Sequence, residues 1–212
     1  FHPDPEIFQD GYTFNTKKLY HLAKSKAYLF KGIKILWRCD PELLTNLAEV
    51  KSEEEICFPN GINDFLKSSL SEARLVMDNF FSGSNELADN HGRVEWCVAW
   101  PVDRDATIHS YCNTVPTPMG GTHELGIKNA LFKAIQNFAD LSKNKRSAQI
   151  TSDDVLLSSA IIISIFIREP QFQGQTKDKL ANKEVNKLVE NAIRDHFDHF
   201  LTSNVKDANF LL

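Results

Sequence analysis

The sequence predicts an α+β fold in which helices are stacked on one β-sheet. Two segments, at residues 122–138 and 185–200, have the apolar spacing of amphipathic helices. Between them lies the most apolar run of the chain, "IIISIFI" at residues 161–167. Its shortness and its β-branched residues favour a buried strand. Predicted strands and helices follow one another without an internal repeat, an order typical of an α+β domain.

The first third of the chain predicts a helix, a strand pair and a second, short helix. Residues 15–27 have a helical apolar face behind an Asn/Thr cap. Residues 32–38 alternate like a half-buried strand, and "EEEICFPNG" predicts a returning strand closed by a Pro-Asn-Gly turn. "INDFLKSSL" predicts the short helix. The inward positions are predicted to be Leu19, Leu22, Ala23 and Ala27 in the first helix, and Ile33, Ile35 and Trp37 in the strand.

The middle of the chain predicts a β-hairpin followed by a long helix. Residues 94–102 alternate as a strand, and residues 107–115 are predicted to be its antiparallel partner across a "DRDA" loop. Gly120 and Gly121 then break the chain, Thr122 is predicted as the N-cap, and Glu124 favours the positive helix end. The helix is predicted to bury Ile127, Ala130, Leu131, Ala134, Ile135 and Phe138. The last helix is predicted to bury Val185, Leu188, Val189, Ala192, Ile193, Phe197 and Phe200.

Composition narrows the class of protein. The 212 residues are 42% hydrophobic with a net charge of −4, which argues against wholesale coating of nucleic acid but permits a local basic surface. Four scattered cysteines without a CxxC pair favour free thiols in a reducing cytoplasm. No run approaches the ~20 apolar residues of a membrane span. The opening "FHPDPEIF" lacks Met, and we interpret the chain as a piece of a longer protein.

Three residue pairs outside the main motifs have a chemical interpretation and a simpler structural one. Asp103 and Asp105 form a DxD pair suited to magnesium, but as residues of a turn they are more simply solvated. His196 and His199 lack a third metal ligand, so packing and surface exposure explain them better. Cys112 and His123 resemble a thiol and its base, yet nothing in the sequence orients them. No metal site is predicted.

The loop that follows the apolar run is the strongest candidate site. It reads "EPQFQGQTKDKL" at residues 169–180. Gly174 permits close backbone approach to a ligand, Gln175 offers an amide donor, and Lys177 is a mobile point charge suited to a phosphate oxygen. Taken alone, a solvated loop lysine is the commoner explanation.

Several segments together resemble one family. "QFQGQTKDKL" resembles the loop that type II bacterial topoisomerases carry in the second, transducer domain of their ATPase subunit. "FHPDPEIF", "SKAYLFKGIKI", "YCNTVPTPMGGTHELGIKNAL" and "TSDDVLLSSAIIISIFI" are similar to further segments of that domain, in the family's order and over nearly the whole chain. The "FHPD" opening and the "DDVLLSSAIIISIFI" run are more similar to the B-subunit of topoisomerase IV than to the B-subunit of gyrase.

The resemblance implies a fold, a site and partners. The fold is the ribosomal protein S5 domain 2-like one, with a mixed sheet, helices on one face and a left-handed βαβ crossover, over residues 1–182. Residues 183–212 form a C-terminal helix leading toward the DNA gate. Lys177, with Gln175 beside it, is expected to contact the γ-phosphate of ATP, and Lys128 to face a transported DNA duplex. ATP and Mg²⁺ are expected to be held mainly by an upstream domain, so these 212 residues alone should be inactive.

Partners and rival functions follow from the same resemblance. The implied partners are the A-subunit of topoisomerase IV and double-stranded DNA bound without sequence preference, and no membrane. Within the class, the alternative is the transducer of the gyrase B-subunit, which serves negative supercoiling. Outside it are a non-catalytic S5-like RNA-binding module, disfavoured by the acidic charge, and a transducer-like domain of a mismatch-repair or chaperone ATPase, disfavoured by the Gly-Gly-Thr-His stretch.

Overall fold

The chain consists of two structural units that meet between residues 64 and 65 of the sequence. The computed structural model describes residues 4–8, 13–44, 47–143, 150–157 and 159–212. The first unit is Phe1–Asp64 and the second is Phe65–Leu212. This boundary lies inside the segment 1–182 that the resemblance assigns to one domain. Each unit has a hydrophobic core of its own.

The first unit is built on two helices and a strand pair. Its elements are α1 (Pro5–Phe8), α2 (Thr16–Leu29), β1 (Lys34–Arg38), a 3₁₀ turn (Pro41–Leu44) and β2 (Glu53–Cys57), and α3 (Ile62–Ser69) begins at its end. Strand β1 pairs antiparallel with β2, as predicted. Asn15 Oδ1 accepts the Lys18 amide at 2.9 Å, which confirms the predicted cap.

The predicted inner face of α2 is partly wrong. Leu19 and Leu22 are 39% and 47% exposed, whereas Tyr20 is 3% exposed. The Tyr20 ring meets the Trp37 ring edge-on with centroids 5.3 Å apart, and its hydroxyl donates to Glu54. An aromatic ring with a hydrogen-bonded hydroxyl buries more surface than a leucine, which turns the helix toward Tyr20.

The second unit contains a mixed sheet of five strands in the order β3-β4-β7-β5-β6. The strands are β3 (Phe81–Leu87), β4 (Gly92–Ala99), β5 (Thr107–Cys112), β6 (Val115–Pro116) and β7 (Ala160–Ile167). Strand β7 pairs antiparallel with β4 and parallel with β5. Residues 160–165 of β7 are all buried, so the apolar run is the central strand, as predicted.

The predicted hairpin of residues 94–102 and 107–115 is wrong. Strand β7 lies between β4 and β5, and these two strands do not pair with each other. A strand buried on both faces needs hydrogen-bonded neighbours on both edges, because no water reaches its backbone. Strand β7 therefore takes the position between them. The parallel unit β5–α4–β7 is the crossover that the resemblance implies, and its left hand stays a prediction.

The helices of the second unit are α4 (Thr122–Leu141), α5 (Ser152–Leu156), α6 (Lys183–Ser203) and α7 (Val205–Ala208), with 3₁₀ turns at Ala88–Asn90 and Asn209–Leu211. The predicted stripe of α4 is fully buried. In α6 the stripe is confirmed except that Leu188 and Phe200 are half-buried and Leu201 joins it. Both helices pack in one core with Trp96, Ile161 and Ile163.

The structure bears on three further predictions. Gly121, not Thr122, is the N-cap of α4, because Thr122 already has a place in the helix. All four cysteines are free, as predicted. In the part of the chain that the structure describes, no helix combines the length and apolarity that crossing a membrane requires.

Candidate functional site

The loop of residues 169–180 rests on a hydrogen-bonded base. The amide of Gln173 donates to Lys179 O at 2.9 Å, and the amide of Ala181 donates to Gln171 O at 2.8 Å. The returning segment is also bonded on its other side, where Met119 N donates to Asp178 O at 3.0 Å. Backbone bonds on both sides hold this segment as a sheet holds a central strand.

The Gly-Gly pair packs against this base with no room for a side chain at Gly121. Leu180 N donates to Gly120 O at 3.1 Å, and Thr122 N donates to Leu180 O at 3.2 Å. A Cβ on Gly121 would lie 2.4 Å from Leu180 O, and the residue has φ +141°. Glycine is therefore required where the start of α4 meets the loop. Leu180 itself is 1% exposed and belongs to the core.

The tip of the loop presents the predicted phosphate ligands to solvent. Gly174, Gln175 and Lys177 are all exposed. Gly174 has φ +81° and Lys177 has φ +60°, so the backbone turns through two left-handed residues. Lys177 Nζ lies 6.0 Å from the centroid of the Phe172 ring, at the outer limit of a cation–π contact. The ammonium is thus only weakly restrained, while backbone hydrogen bonds hold the base of the loop that carries it.

A cleft of about 440 Å³ lies beneath the loop, against the first turns of α4. Lys128 and Glu124 of α4 line it together with Lys179 and Leu180 of the returning segment. Lys128 Nζ is 3.6 Å from Glu124 Oε2, and the lysine side chain is 31% exposed. The structure therefore brings Lys128 to the same cleft as the base of the loop, while Gln175 and Lys177 lie at its tip.

A chain of buried polar groups, which the sequence did not reveal, lies behind this cleft. Ser110 Oγ donates to Glu124 Oε1 at 2.7 Å and lies 2.7 Å from Thr117 Oγ1, which is 3.1 Å from His123 Nε2. Since the carboxylate can only accept, the chain runs one way, with His123 Nε2–H donating to Thr117, and Thr117 donating to Ser110. Burial lowers the pKa of His123 to about 4, so the ring is neutral.

This polar chain anchors the start of α4 to β5 and to the turn after β6. Three of its members, Ser110, Thr117 and His123, are nearly inaccessible to solvent. The available sequence signal is the cluster of Ser, Thr and His around Gly-Gly, but the spacing alone does not say which of them face each other.

The other candidate pairs keep their structural interpretations. Asp103 and Asp105 lie in the exposed connection from β4 to β5. His196 is exposed and packs on Trp96, with ring centroids 5.5 Å apart. Cys112 and His123 are both buried, and burial raises the pKa of Cys112 to about 12, so the thiol is no nucleophile. Among the described residues, no group of three or more His, Cys, Asp or Glu side chains is placed to hold a metal ion.

Known proteins similar to this chain include B-subunits of DNA topoisomerase 4. The family profile described as DNA gyrase B matches residues 61–212. The B-subunit of DNA topoisomerase 4 from Bartonella bacilliformis is 47% identical over the whole chain, which spans 30% of that protein. The same-named protein of Rickettsia prowazekii is 46% identical, and the chain spans 32% of it. The chain thus spans about a third of the length of the curated relatives it matches.

Solved structures of similar fold include domains of gyrase B and of topoisomerase IV. The 43K ATPase domain of Thermus thermophilus gyrase B has a TM-score of 0.77 and 26% identity, over 99% of this chain and 54% of that one. The topoisomerase IV ATP-binding domain of Francisella tularensis has a TM-score of 0.74 and 28% identity, over 97% of this chain and 53% of that one. With the family profile matching well over half of its residues, the chain belongs to the DNA gyrase B family.

Proposed function

We propose that this chain is the transducer part of the B-subunit of a topoisomerase IV, an ATP-dependent type II topoisomerase that relaxes and decatenates DNA. The observation that carries the proposal is a loop whose base is bonded to its neighbours on both sides, while its tip presents Gln175 and Lys177 to solvent. A rigid base and a free cationic tip suit a ligand that another part of the protein holds.

The chemistry is phosphoryl transfer from ATP to water. ATP supplies the γ-phosphoryl group, and Mg²⁺ supplies charge neutralisation at the phosphate oxygens. Lys177 would add a positive charge at the γ-phosphate, and the Gln175 amide would donate a hydrogen bond beside it. Both side chains carry donors and are exposed, which fits an anionic ligand. In this proposal another part of the protein holds Mg²⁺, as the resemblance implies.

The same contact would couple hydrolysis to movement. A lysine that reaches ATP from a different domain favours the closed arrangement only while the γ-phosphate is present. Loss of that phosphate removes the contact and its free energy, so the closed arrangement loses its advantage. In this proposal, residues 183–212 carry the resulting movement toward the DNA gate.

DNA is the proposed macromolecular substrate, with Lys128 facing it. The ammonium lies at the rim of the cleft, with Glu124 3.6 Å away, and would contact phosphates without reading sequence. As a half-buried helix lysine, Lys128 is also explained by solvation alone, which makes its variant informative. The protein partner would be the A-subunit of topoisomerase IV, in the bacterial cytoplasm.

Topoisomerase IV is favoured over gyrase by the names of the relatives. Seven curated relatives at 43–47% identity are all named as B-subunits of DNA topoisomerase 4. Decatenation without negative supercoiling by the reconstituted enzyme would support topoisomerase IV, and supercoiling would support the gyrase alternative. Membership of the gyrase B family disfavours the RNA-binding and mismatch-repair alternatives.

The test of the proposed function is steady-state ATP turnover of the full-length protein carrying Lys177→Ala. We expect turnover to fall on the order of 10²–10³-fold, about 3–4 kcal/mol, as for one preorganised electrostatic contact. Lys177→Arg should restore little, because a planar guanidinium does not replace a compact ammonium. Lys179→Ala is the matched control, since it removes an exposed lysine two residues along whose backbone carbonyl still accepts Gln173 N. Unchanged turnover in Lys177→Ala would overturn the assignment.

A further inference from the structure

The side chain of Asn182 bridges both ends of the loop that carries Lys177. Its Oδ1 accepts the Gln171 amide at 2.7 Å, and its Nδ2 donates to Glu169 O at 3.2 Å. These two backbone groups belong to the outgoing end of the loop, whereas Asn182 follows the returning end. Asn182 is 5% exposed, which shields its side of these bonds from water, whereas Gln171 and Glu169 lie at the surface.

Asn182 occupies a position where its side chain would ordinarily do something else. It is the N-cap residue of α6, yet its side chain makes no capping hydrogen bond. An asparagine at this position usually accepts an amide from the first turn of its helix, as Asn15 does for α2. Asn182 gives up that bond and directs its amide to the loop.

Glu184 compensates for the missing cap. Its carboxylate accepts the backbone amide of Glu184 itself, which together with the Asn182 side chain holds the pKa of this carboxyl below its usual value. Asn182 Nδ2 donates to Glu184 Oε1 at 3.1 Å. With the carboxylate at the helix start, the Asn182 amide is available for Gln171 and Glu169.

The outgoing end of the loop depends on this bridge. The returning segment is bonded to Gly120 and Thr122 of the α4 start. The outgoing segment is bonded to the returning one through Gln173 N and Gln171 O, and Asn182 is what ties its Gln171 N and Glu169 O to the start of α6. Without Asn182, the Gln171 amide and the Glu169 carbonyl lose these partners, and only the two backbone bonds to the returning segment still position the residues that lead to Gln175 and Lys177.

We propose that Asn182 is a positioning residue that fixes the outgoing end of the loop and thereby sets where Lys177 is presented, an inference that rests on the proposed function. Asn182 does not contact the nucleotide in this role. It acts through the backbone of residues 169–173. A shift of about 1 Å at a reacting group is enough to lower a rate by orders of magnitude, so a bridge distant from the ammonium matters for turnover.

The experiment compares full-length proteins carrying Asn182→Ala, Asn182→Asp with Glu184→Gln, and Asn15→Ala. Hydrogen–deuterium exchange at the Gln171 amide reports the bridge directly, and steady-state ATP turnover reports its consequence. In Asn182→Ala we expect Gln171 to exchange at least about tenfold faster and kcat to fall about tenfold, with KM for ATP changed less than about twofold. The double variant keeps an acceptor for Gln171 and reverses the polarity of the bond to residue 184, but it has no donor for Glu169 O. It should recover Gln171 protection and only part of kcat.

The control removes a genuine helix cap elsewhere in the chain. Asn15→Ala should leave both Gln171 exchange and kcat unchanged, which separates a general loss of stability from a loss of loop position. Unchanged exchange at Gln171 in Asn182→Ala would overturn the bridge. Faster exchange with unchanged kcat would overturn its role in placing Lys177, provided that Lys177→Ala in the same series lowers turnover. If Lys177→Ala leaves turnover intact, the proposed function fails and the exchange result still decides the bridge.

Discussion

Replacing Gly121 with alanine is expected to detach the loop from α4. A Cβ at this position would lie 2.4 Å from Leu180 O and 2.6 Å from Leu180 N, so the two segments must separate by roughly 1 Å to reach ordinary contact. That displacement breaks the bonds of Leu180 N to Gly120 O and of Thr122 N to Leu180 O. Two such bonds contribute about 1–3 kcal/mol, and alanine at φ +141° adds about 1–3 kcal/mol of backbone strain. The expected loss in free energy of unfolding is therefore about 2–6 kcal/mol.

Urea denaturation of Gly121→Ala and Gly174→Ala measures this loss against a matched control. Gly174 also has positive φ, at +81°, but a Cβ there would meet no atom within 4 Å. Its substitution should cost only the strain, about 1–2 kcal/mol. If the two variants lose equal stability, the close approach of Gly121 to Leu180 does not hold the loop, and the proposed structure of the base is refuted.

Three other predictions concern a buried ring, the thiols and the DNA-facing lysine. Burial lowers the pKa of His123 from 6.5 to about 4, so between these values the unfolded chain binds a proton that the folded chain excludes. The free energy of unfolding should fall by about 2 kcal/mol from pH 7 to pH 5, and His123→Gln should remove this part of the pH dependence in urea titrations; equal slopes would contradict it. A thiol reagent should label Cys39 and Cys57 in the folded chain but spare Cys97 and Cys112, whose pKa burial raises to about 12, and rapid labelling of all four would contradict the buried pair. Lys128→Glu in the full-length protein should reduce DNA-stimulated ATP turnover roughly threefold to tenfold while sparing the basal rate, and equal loss of both would remove Lys128 from the DNA surface.

Local patterns in the sequence predict the parts of the fold that burial alone determines. The stripe of α4 and the apolar run of β7 are confirmed, because the pattern of apolar residues indicates which residues of an element are buried. The tip of the loop was also located correctly, since Gly174 and its polar neighbours are typical of an exposed turn. The role proposed for Lys177 comes from the resemblance and not from these patterns.

Strand order could not be predicted from the sequence, because it depends on pairing between segments that are distant along the chain. Nearness along the chain favoured pairing of β4 with β5, but β7, some fifty residues further on, lies between them. Strand β3 was missed since "FSGSNEL" neither alternates nor is apolar. The need for glycine at Gly83 follows only from the neighbouring strand β4, because a Cβ there would lie 2.7 Å from the Trp96 ring.

Side-chain networks escaped prediction for a similar reason. In the sequence, Asn182 looks like an ordinary helix N-cap. Only its distances to Gln171 and Glu169 show that its side chain is hydrogen-bonded to the loop. The chain from His123 to Glu124 likewise joins residues of β5, the turn after β6 and α4. Both networks depend on tertiary placement, which local spacing does not encode.

The central claim, that Lys177 contacts the γ-phosphate of ATP, is tested most directly by lysine footprinting of the full-length protein. An amine-reactive reagent is applied without nucleotide, with ADP, and with a non-hydrolysable ATP analogue, and modification of Lys177 and Lys179 is quantified by mass spectrometry. Both lysines are exposed in the structure and should react equally without nucleotide. We predict that the ATP analogue protects Lys177 at least about tenfold, that ADP does not, and that Lys179 stays reactive throughout. Equal modification of Lys177 in all three states would contradict the claim.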